Sequence, residues 1–292
     1  MQALQEAEDP RPSRRFRDVL SVPVPHYAKP LPTNKQRPHG KWQHAVVYGD
    51  THRPFHDPHA EAVVFGVIKD VRPQLVAHLG DLLDCYTISR FSTDPMRLDG
   101  LQGEIDAGRE HLWQVSHLAP DADKLLLGGN HEDRLRKLVW DLRGAHRELP
   151  KLRIFQRMMT WPVLLDLVNI GWDYVDYTKQ PVVGRLSKLL LKHGDVVRKW
   201  SAWTEKAEWE KHARSGISGH SHRMGAFYHR DLNGSHVWKG AGCTCSLEPE
   251  YVRQPDWQQG CLVVAYSEDR FQVEEVYIER GRALWRGREF AA

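Results

Sequence analysis

Order in the chain begins at His44, where Ala45-Val46-Val47-Tyr48 is a short apolar run stopped by Gly49-Asp50, the pattern of a buried strand. Asp57-Pro58 opens a predicted helix to Val71, with Val63, Val64, Val67, Ile68 and Val71 at helical spacing. Leu75-Val76-Ala77-His78-Leu79 is the next strand, stopped by Gly80-Asp81. A helix over residues 99–118 leads to a third strand, Lys124-Leu125-Leu126-Leu127, which ends at Gly128-Gly129-Asn130-His131. An Arg-rich stretch from Glu132 to Arg157 reads as helical, and a mixed region runs to Tyr177. Leu189-Leu190-Leu191-Lys192 is a further strand, stopped by His193-Gly194-Asp195; a helix over residues 201–214 then precedes the short strand Gly216-Ile217-Ser218, which enters Gly219-His220-Ser221-His222. Strands alternating with helices imply an α/β fold with a largely parallel sheet.

From Met224 the period changes to alternating strands with hairpin turns. Asn233-Gly234 separates residues 226–230 from 236–239, and residues 261–266, 271–278 and 283–288 continue the pattern. These C-terminal hairpins, residues 224–290, are expected to complete a second sheet rather than form a separate domain. Residues 9–42 are dense in Pro and basic side chains without any period, so residues 1–43 read as an extended or disordered basic arm ahead of one folded domain, residues 44–292.

Composition narrows the class. With 41% hydrophobic and 27% charged residues, collagen-like, coiled-coil and wholly disordered chains are excluded. No apolar run approaches the roughly 20 residues of a bilayer span, and the start MQALQEAEDP lacks a signal-peptide pattern. The expectation is a cytoplasmic protein with no membrane partner. Four cysteines are too few for a disulfide framework; Cys243-Thr-Cys245 has the look of a metal clip, but with no second pair nearby it is read as strand. Charge is uneven: residues 1–43 carry eight Lys/Arg against four Asp/Glu, residues 131–214 seventeen against eleven, and the remainder is net negative by seven. A basic arm and middle segment would suit an anionic substrate, and a solvated surface explains the same counts.

The chemistry sits at the strand ends. Five predicted strands each end in a turn carrying Asp, His or Asn: Asp50 and His52, Asp81, Asn130 and His131, His193, then His220 and His222. In an open α/β sheet such ends converge on one ligand site. One such histidine carries little weight; five successive coincidences carry a great deal. Two carboxylates, one amide oxygen and four imidazoles can serve two metal ions if one carboxylate bridges them, and the mixed N/O set suits Mn, Fe, Zn, Co or Ni rather than Ca or hydrated Mg. Two close divalent ions need an anion, which phosphate esters supply, and can lower the pKa of a shared water that attacks phosphorus.

The blocks Asp50-Thr51-His52, Gly80-Asp81, Gly129-Asn130-His131-Glu132, His193-Gly194 and Gly219-His220-Ser221-His222 resemble the calcineurin-like metallophosphoesterase family, in the order D-x-H, G-D, G-N-H-E/D, H and G-H-x-H. The likeness spans about residues 44–222 and is nearest to members from bacteria and their phages. It implies a two-sheet β-sandwich flanked by helices in four layers, α/β/β/α. It also implies one metal on Asp50, His52 and His222, a second on Asn130, His193 and His220, and Asp81 bridging, with Mn the first choice. His131 would contact the phosphate and protonate the leaving oxygen. Asp84 would orient a ligand histidine, unless it is simply a helix N-cap. Glu132 and Asp133 would support the ligands or serve as first-turn acids. The arginines of the protein Ser/Thr phosphatases are missing from Gly80-Asp81-Leu82-Leu83-Asp84-Cys85 and Gly128-Gly129-Asn130-His131, so that substrate class falls.

Substrate clues are softer. Forty-eight residues separate Asp81 from Asn130 and sixty-one separate His131 from His193, so stretches near 84–118 and 133–185 are expected to wall or cap the cleft. Arg134, Arg136 and Lys137 follow the catalytic turn, with Arg134 and Asn130 as candidate phosphate contacts. Arg198, Lys199, Lys206 and Lys211 interleave with Trp200, Trp203 and Trp209, which suits single-stranded nucleic acid or a nucleotide. The plainer reading is an amphipathic helix burying Trp200, Trp203 and Ala207. The expected activity is that of a phosphodiesterase or nuclease, with a small-molecule phosphomonoesterase as the alternative and a non-catalytic scaffold last. Oligomeric state is not encoded legibly.

Overall fold

The computed structural model describes residues 42–90, 100–249 and 255–292. Nearly all of the expected N-terminal arm lies outside the described residues. Its last residue, Gln43, already belongs to the first strand, opposite Tyr266.

Two sheets face each other. The first has the order β11-β10-β1-β2-β3-β4, built from β1 (Gln43–Tyr48), β2 (Leu75–His78), β3 (Asp123–Leu127), β4 (Asp173–Val175), β10 (Gln259–Tyr266) and β11 (Phe271–Ile278). The second has the order β5-β6-β7-β9-β8, from β5 (Val182–Leu186), β6 (Leu189–Lys192), β7 (Gly216–Ser218), β8 (Met224–Asp231) and β9 (Gly234–Ala241). Alternation along β1 shows how the layers form. Ala45 and Val47 point into the space between the sheets with Leu191, Ile217 and Ala241, whereas Val46 and Tyr48 point to the helices.

On that helical side lie α1 (Pro58–Val71) and α2 (Leu101–Leu118). Asp57 caps α1 by accepting the backbone N–H of His59 at 2.8 Å, and Val63, Val64, Val67 and Ile68 form its buried stripe. The hairpin of β12 (Arg282–Trp285) and β13 (Arg288–Ala291) closes the same core with Trp285 and Phe290. The fourth layer is α7 (Ser201–His212), packed against β8 and β9. No helix among the described residues is long and apolar enough to cross a membrane.

Several expectations change. The first sheet is mixed: β1 through β4 are parallel, but β10 and β11 run antiparallel on its edge. The C-terminal hairpins therefore divide, β8 and β9 joining the second sheet and β10 and β11 the first. Residues 283–288 are not one strand; Arg286-Gly287 turns the chain, with Gly287 at φ 73°. The helical stretch from Glu132 stops after α3 (Asp133–Trp140), where Arg143 is extended and Gly144 has φ 60°, and is followed by a 3-10 segment containing Pro150, whose missing N–H disfavours a longer helix, and by short helices α4 (Arg153–Met158), α5 (Trp161–Leu164) and α6 (Leu167–Ile170). Within 84–118, α2 packs into the core through Ile105, Leu112 and Val115, while Ile88 and Arg90 border a groove beside α3. The face of α7 is the reverse of the amphipathic reading: Trp200 and Trp203 are exposed, and Thr204, Glu205 and Glu208 are buried.

Candidate active site

All five predicted strand-end turns meet at one edge of the sandwich. Beyond β1, Asp50 and His52 are fixed by backbone bonds to the turn beyond β2, Asp50 N–H to Gly80 O (3.0 Å) and His52 N–H to Asp81 O (2.9 Å). The loops beyond β3, β6 and β7 bring Asn130 and His131, His193, and His220 and His222 to the same place. Glycine is required where the backbones touch: a Cβ at Gly129 would run into Asp81, and one at Gly219 into the Asp50 carboxylate.

Two donor clusters result. Asp50, His52, Asp81 and His222 present ligand atoms within 4.8 Å of one another, and so do Asp81, His193 and His220. In the first, His52 Nε2 lies 3.0 Å from His222 Nε2, and His222 Nε2 lies 3.3 Å from Asp50 Oδ1. In the second, His193 Nε2 lies 2.9 Å from Asn130 Oδ1 and 3.3 Å from Asp81 Oδ2. Asp81 Oδ2 is also 3.6 Å from His52 Nε2, so this one carboxylate faces both clusters. The ring nitrogens pointing away are spoken for: His52 Nδ1–H donates to Asp84 Oδ1 (2.9 Å) and His193 Nδ1–H to Leu79 O (3.1 Å). That arrangement turns the Nε2 atoms inward toward the carboxylates, the orientation in which a histidine ligates a divalent transition metal.

Electrostatics point the same way. Burial would raise Asp81, but His131, His193 and His52 hold it well below the ordinary carboxylate range. Burial is also outweighed at His193, which Asp81 pushes up to about 9. His220 is lowered to about 4 by burial and by His193. A centre whose carboxylates are ionised and whose imidazoles compete for positive charge is prepared for cations.

His131 stands beside both clusters. Its Nδ1–H donates to the Asp84 backbone carbonyl (2.7 Å), its backbone N–H donates to Asp81 Oδ1 (2.9 Å), and its Nε2 accepts from Arg134 Nη2 (3.1 Å). Arg134 is anchored by a second bond to Asp84 O (2.7 Å). Asp84 thus touches His52, His131 and Arg134 and is no helix N-cap.

Other residues of the site carry no sequence signal strong enough to assign their contacts. The buried Glu132 carboxylate accepts three backbone N–H groups, from Asp81 (3.0 Å), Leu83 (2.9 Å) and Gly129 (2.6 Å), and so ties two loops together. Gln180 bridges Gly128 O (2.7 Å) and the His193 N–H (2.6 Å). His78 and Thr51 form a buried bond beneath the loops at 2.8 Å.

A groove of about 470 Å³ leaves the centre along α3, lined among others by Asn130, Arg134, Arg90, Lys137 and Ile88. A larger cavity, about 570 Å³, lies on the other flank of α3 and contains none of the cluster residues or His131.

A four-layer sandwich with clustered Asp and His side chains at its strand ends defines a metal-binding hydrolase of phosphate esters. The calcineurin-like phosphoesterase family matches residues 44–252, and the chain belongs to that family. It is similar to the Gene 54 protein of Mycobacterium phage D29, 26% identical over 249 residues that cover 81% of this chain and 94% of that protein. Its likeness to the Gene 54 protein of Mycobacterium phage L5 is 25% over 252 residues, covering 83% and 96%. Among solved structures, Vacuolar Protein Sorting 29 from Cryptosporidium parvum aligns with 87% of this chain and 100% of its own at 12% identity, with a TM-score of 0.47.

Proposed function

We propose that the chain is a dinuclear-metal phosphodiesterase or nuclease acting on single-stranded nucleic acid or nucleotides. The observation that carries the reading is the cationic groove that opens from Asn130 and Arg134 toward Lys137 and Arg90. A monoester needs only the centre; a polyanion needs a path away from it. The ion pair of Arg90 with Asp141 is open to water, and such pairs are worth about 1 kcal/mol or less, so an incoming phosphate displaces it at little cost; the buried Asp133 keeps Arg136 as a partner when Lys137 turns to phosphate. Trp200, with Lys199 over its ring at 4.9 Å, follows His193 by seven residues and offers a face for base stacking.

In this reading Asp50, His52 and His222 would hold one metal and Asn130, His193 and His220 the other, with Asp81, whose carboxylate faces both clusters, shared between them. When bound, two divalent ions, Mn²⁺ as first choice, supply Lewis acidity and an activated water. Arg134 and Asn130 hold the phosphate oxygens. Drawing Arg134 onto phosphate frees His131 Nε2 to take up a proton from water, a form that Asp81 and Asp84 favour against burial, and this Nε2 proton can then pass to the leaving oxygen while the Asp84 carbonyl keeps Nδ1–H in place. Asp84 also fixes His52, so it couples the proton donor to the metal cluster.

The test is to strip the full chain of metal, restore Mn²⁺ and compare bis-p-nitrophenyl phosphate, p-nitrophenyl phosphate and single-stranded DNA. Metal-restored cleavage of diester and polymer is expected, and falling with salt for the polymer alone. Monoester cleavage without diester cleavage would replace the reading by the small-molecule phosphatase.

A further inference from the structure

Cys243-Thr-Cys245 takes no part in the function described above. The chain there is extended, held by bridges of Cys243 to Gln259 and of Cys245 to His56, so the two cysteines face one way and Thr244 the other. Thr244 accordingly meets Thr51 Oγ1 at 2.9 Å. Both thiols are free and buried, and the two sulfurs lie with an imidazole nitrogen of His222 within 4.8 Å of one another. Cys245 Sγ is 3.7 Å from His222 Nδ1. A tetrahedral ion with metal–sulfur and metal–nitrogen bonds of about 2.3 and 2.0 Å sets its S···N edge at about 3.5 Å. Gln258 O lies 3.6 Å from Cys243 Sγ and accepts the Cys243 N–H at 3.0 Å.

We propose that Cys243, Cys245 and His222 Nδ1 form a binding site for a thiophilic d¹⁰ cation, Zn²⁺ or Cd²⁺, that inhibits the enzyme through the shared His222 ring. Two thiolates and a neutral imidazole select such ions over Mn²⁺. One dication replaces two thiol protons, so the buried region keeps its net charge. His222 has only one lone pair as a neutral ring, and to serve the first cluster that pair must be at Nε2, the atom that faces Asp50 and His52. Coordination at Nδ1 moves the ring proton from Nδ1 to Nε2 and removes a donor from that cluster. Trp257 packs on the His222 ring, centroids 4.2 Å apart, which keeps the ring in place while its tautomer changes.

The experiment titrates the Mn²⁺-loaded full chain with Cd²⁺ and reads the ultraviolet sulfur-to-cadmium charge-transfer band, free Mn²⁺ by electron paramagnetic resonance, and turnover. The expected result is a thiolate band that saturates at one thiolate-bound Cd²⁺ per chain, with Mn²⁺ release and turnover down by about tenfold or more as the band grows. The band should survive Cys261→Ser and vanish in Cys243→Ser/Cys245→Ser. No band in the wild type, or a band that persists in the double variant, overturns the proposal. Should that variant not fold, the ¹¹³Cd chemical shift of the wild type decides: a shift in the two-sulfur range supports the site, and a shift of nitrogen and oxygen ligation alone overturns it.

Discussion

Asp50, His52, Asp81, His220 and His222 all adopt left-handed backbone, with φ of 50, 51, 48, 67 and 56°. For side chains with a Cβ this costs on the order of 1 kcal/mol or more each, and the surrounding hydrogen bonds must hold it. They do so locally: the Asp50 carboxylate accepts the His220 N–H with both oxygens at 3.0 Å, and Glu132 accepts the Asp81 N–H. The identities of the clustered residues were legible because each follows an apolar strand run at a glycine-bearing turn. The restraints were not. Glu132 could be read as a first-turn acid, and nothing about Gln180 marks it as the link between Gly128 and His193, because such contacts depend on how loops far apart in the chain approach. At this scale His131→Ala is predicted to retain metal while slowing diesters with nucleoside leaving groups by about 10² to 10³ and p-nitrophenyl esters far less, measured as kcat against leaving-group pKa. An equal loss for every leaving group would assign His131 to phosphate positioning instead.

At the scale of elements, the apolar runs of β1, β2, β3 and β6 announced themselves, and the partition of the C-terminal strands did not. Alternation marks a strand but not which sheet edge is open to receive it, and β10 pairs with β1 across more than 200 residues of chain while β11 pairs with β10. Helix α7 failed the amphipathic reading for a different reason: its buried face is polar. Glu208 pairs with Lys192 at 2.8 Å, and Glu205 is fully buried with no hydrogen-bond partner for either carboxylate oxygen among the described residues. Its space is made by Gly225 and Gly240, paired across β8 and β9, where a Cβ on either would strike the carboxylate. Burial pushes Glu205 up from 4.5 to about 8. Between these values the unfolded chain releases a proton that the folded chain keeps, so this group's contribution to stability is complete below the lower value and is lost as pH rises through the upper. Glu205→Gln, which cannot titrate, should therefore gain Tm relative to wild type on going from pH 5 to pH 9 in thermal melts. A difference that stays constant across that range would contradict the buried acid.

At the scale of the whole molecule, two sheets put five loops on one edge, and α3 lays its cations beside them. The basic stretch of residues 131–214 that stands out in the sequence contains Arg134 and Lys137, but only the fold brings Arg90 to the same groove. The central claim is that Asp81 joins two metal clusters into one centre. Electron paramagnetic resonance of the chain loaded with two equivalents of Mn²⁺ tests it most directly, read beside turnover of bis-p-nitrophenyl phosphate. The account predicts an exchange-coupled pair in the wild type, and in Asp81→Asn the loss of coupling together with much of the bound metal and of the activity. Two uncoupled Mn²⁺ ions in the wild type, or coupling and turnover unchanged in Asp81→Asn, would contradict it.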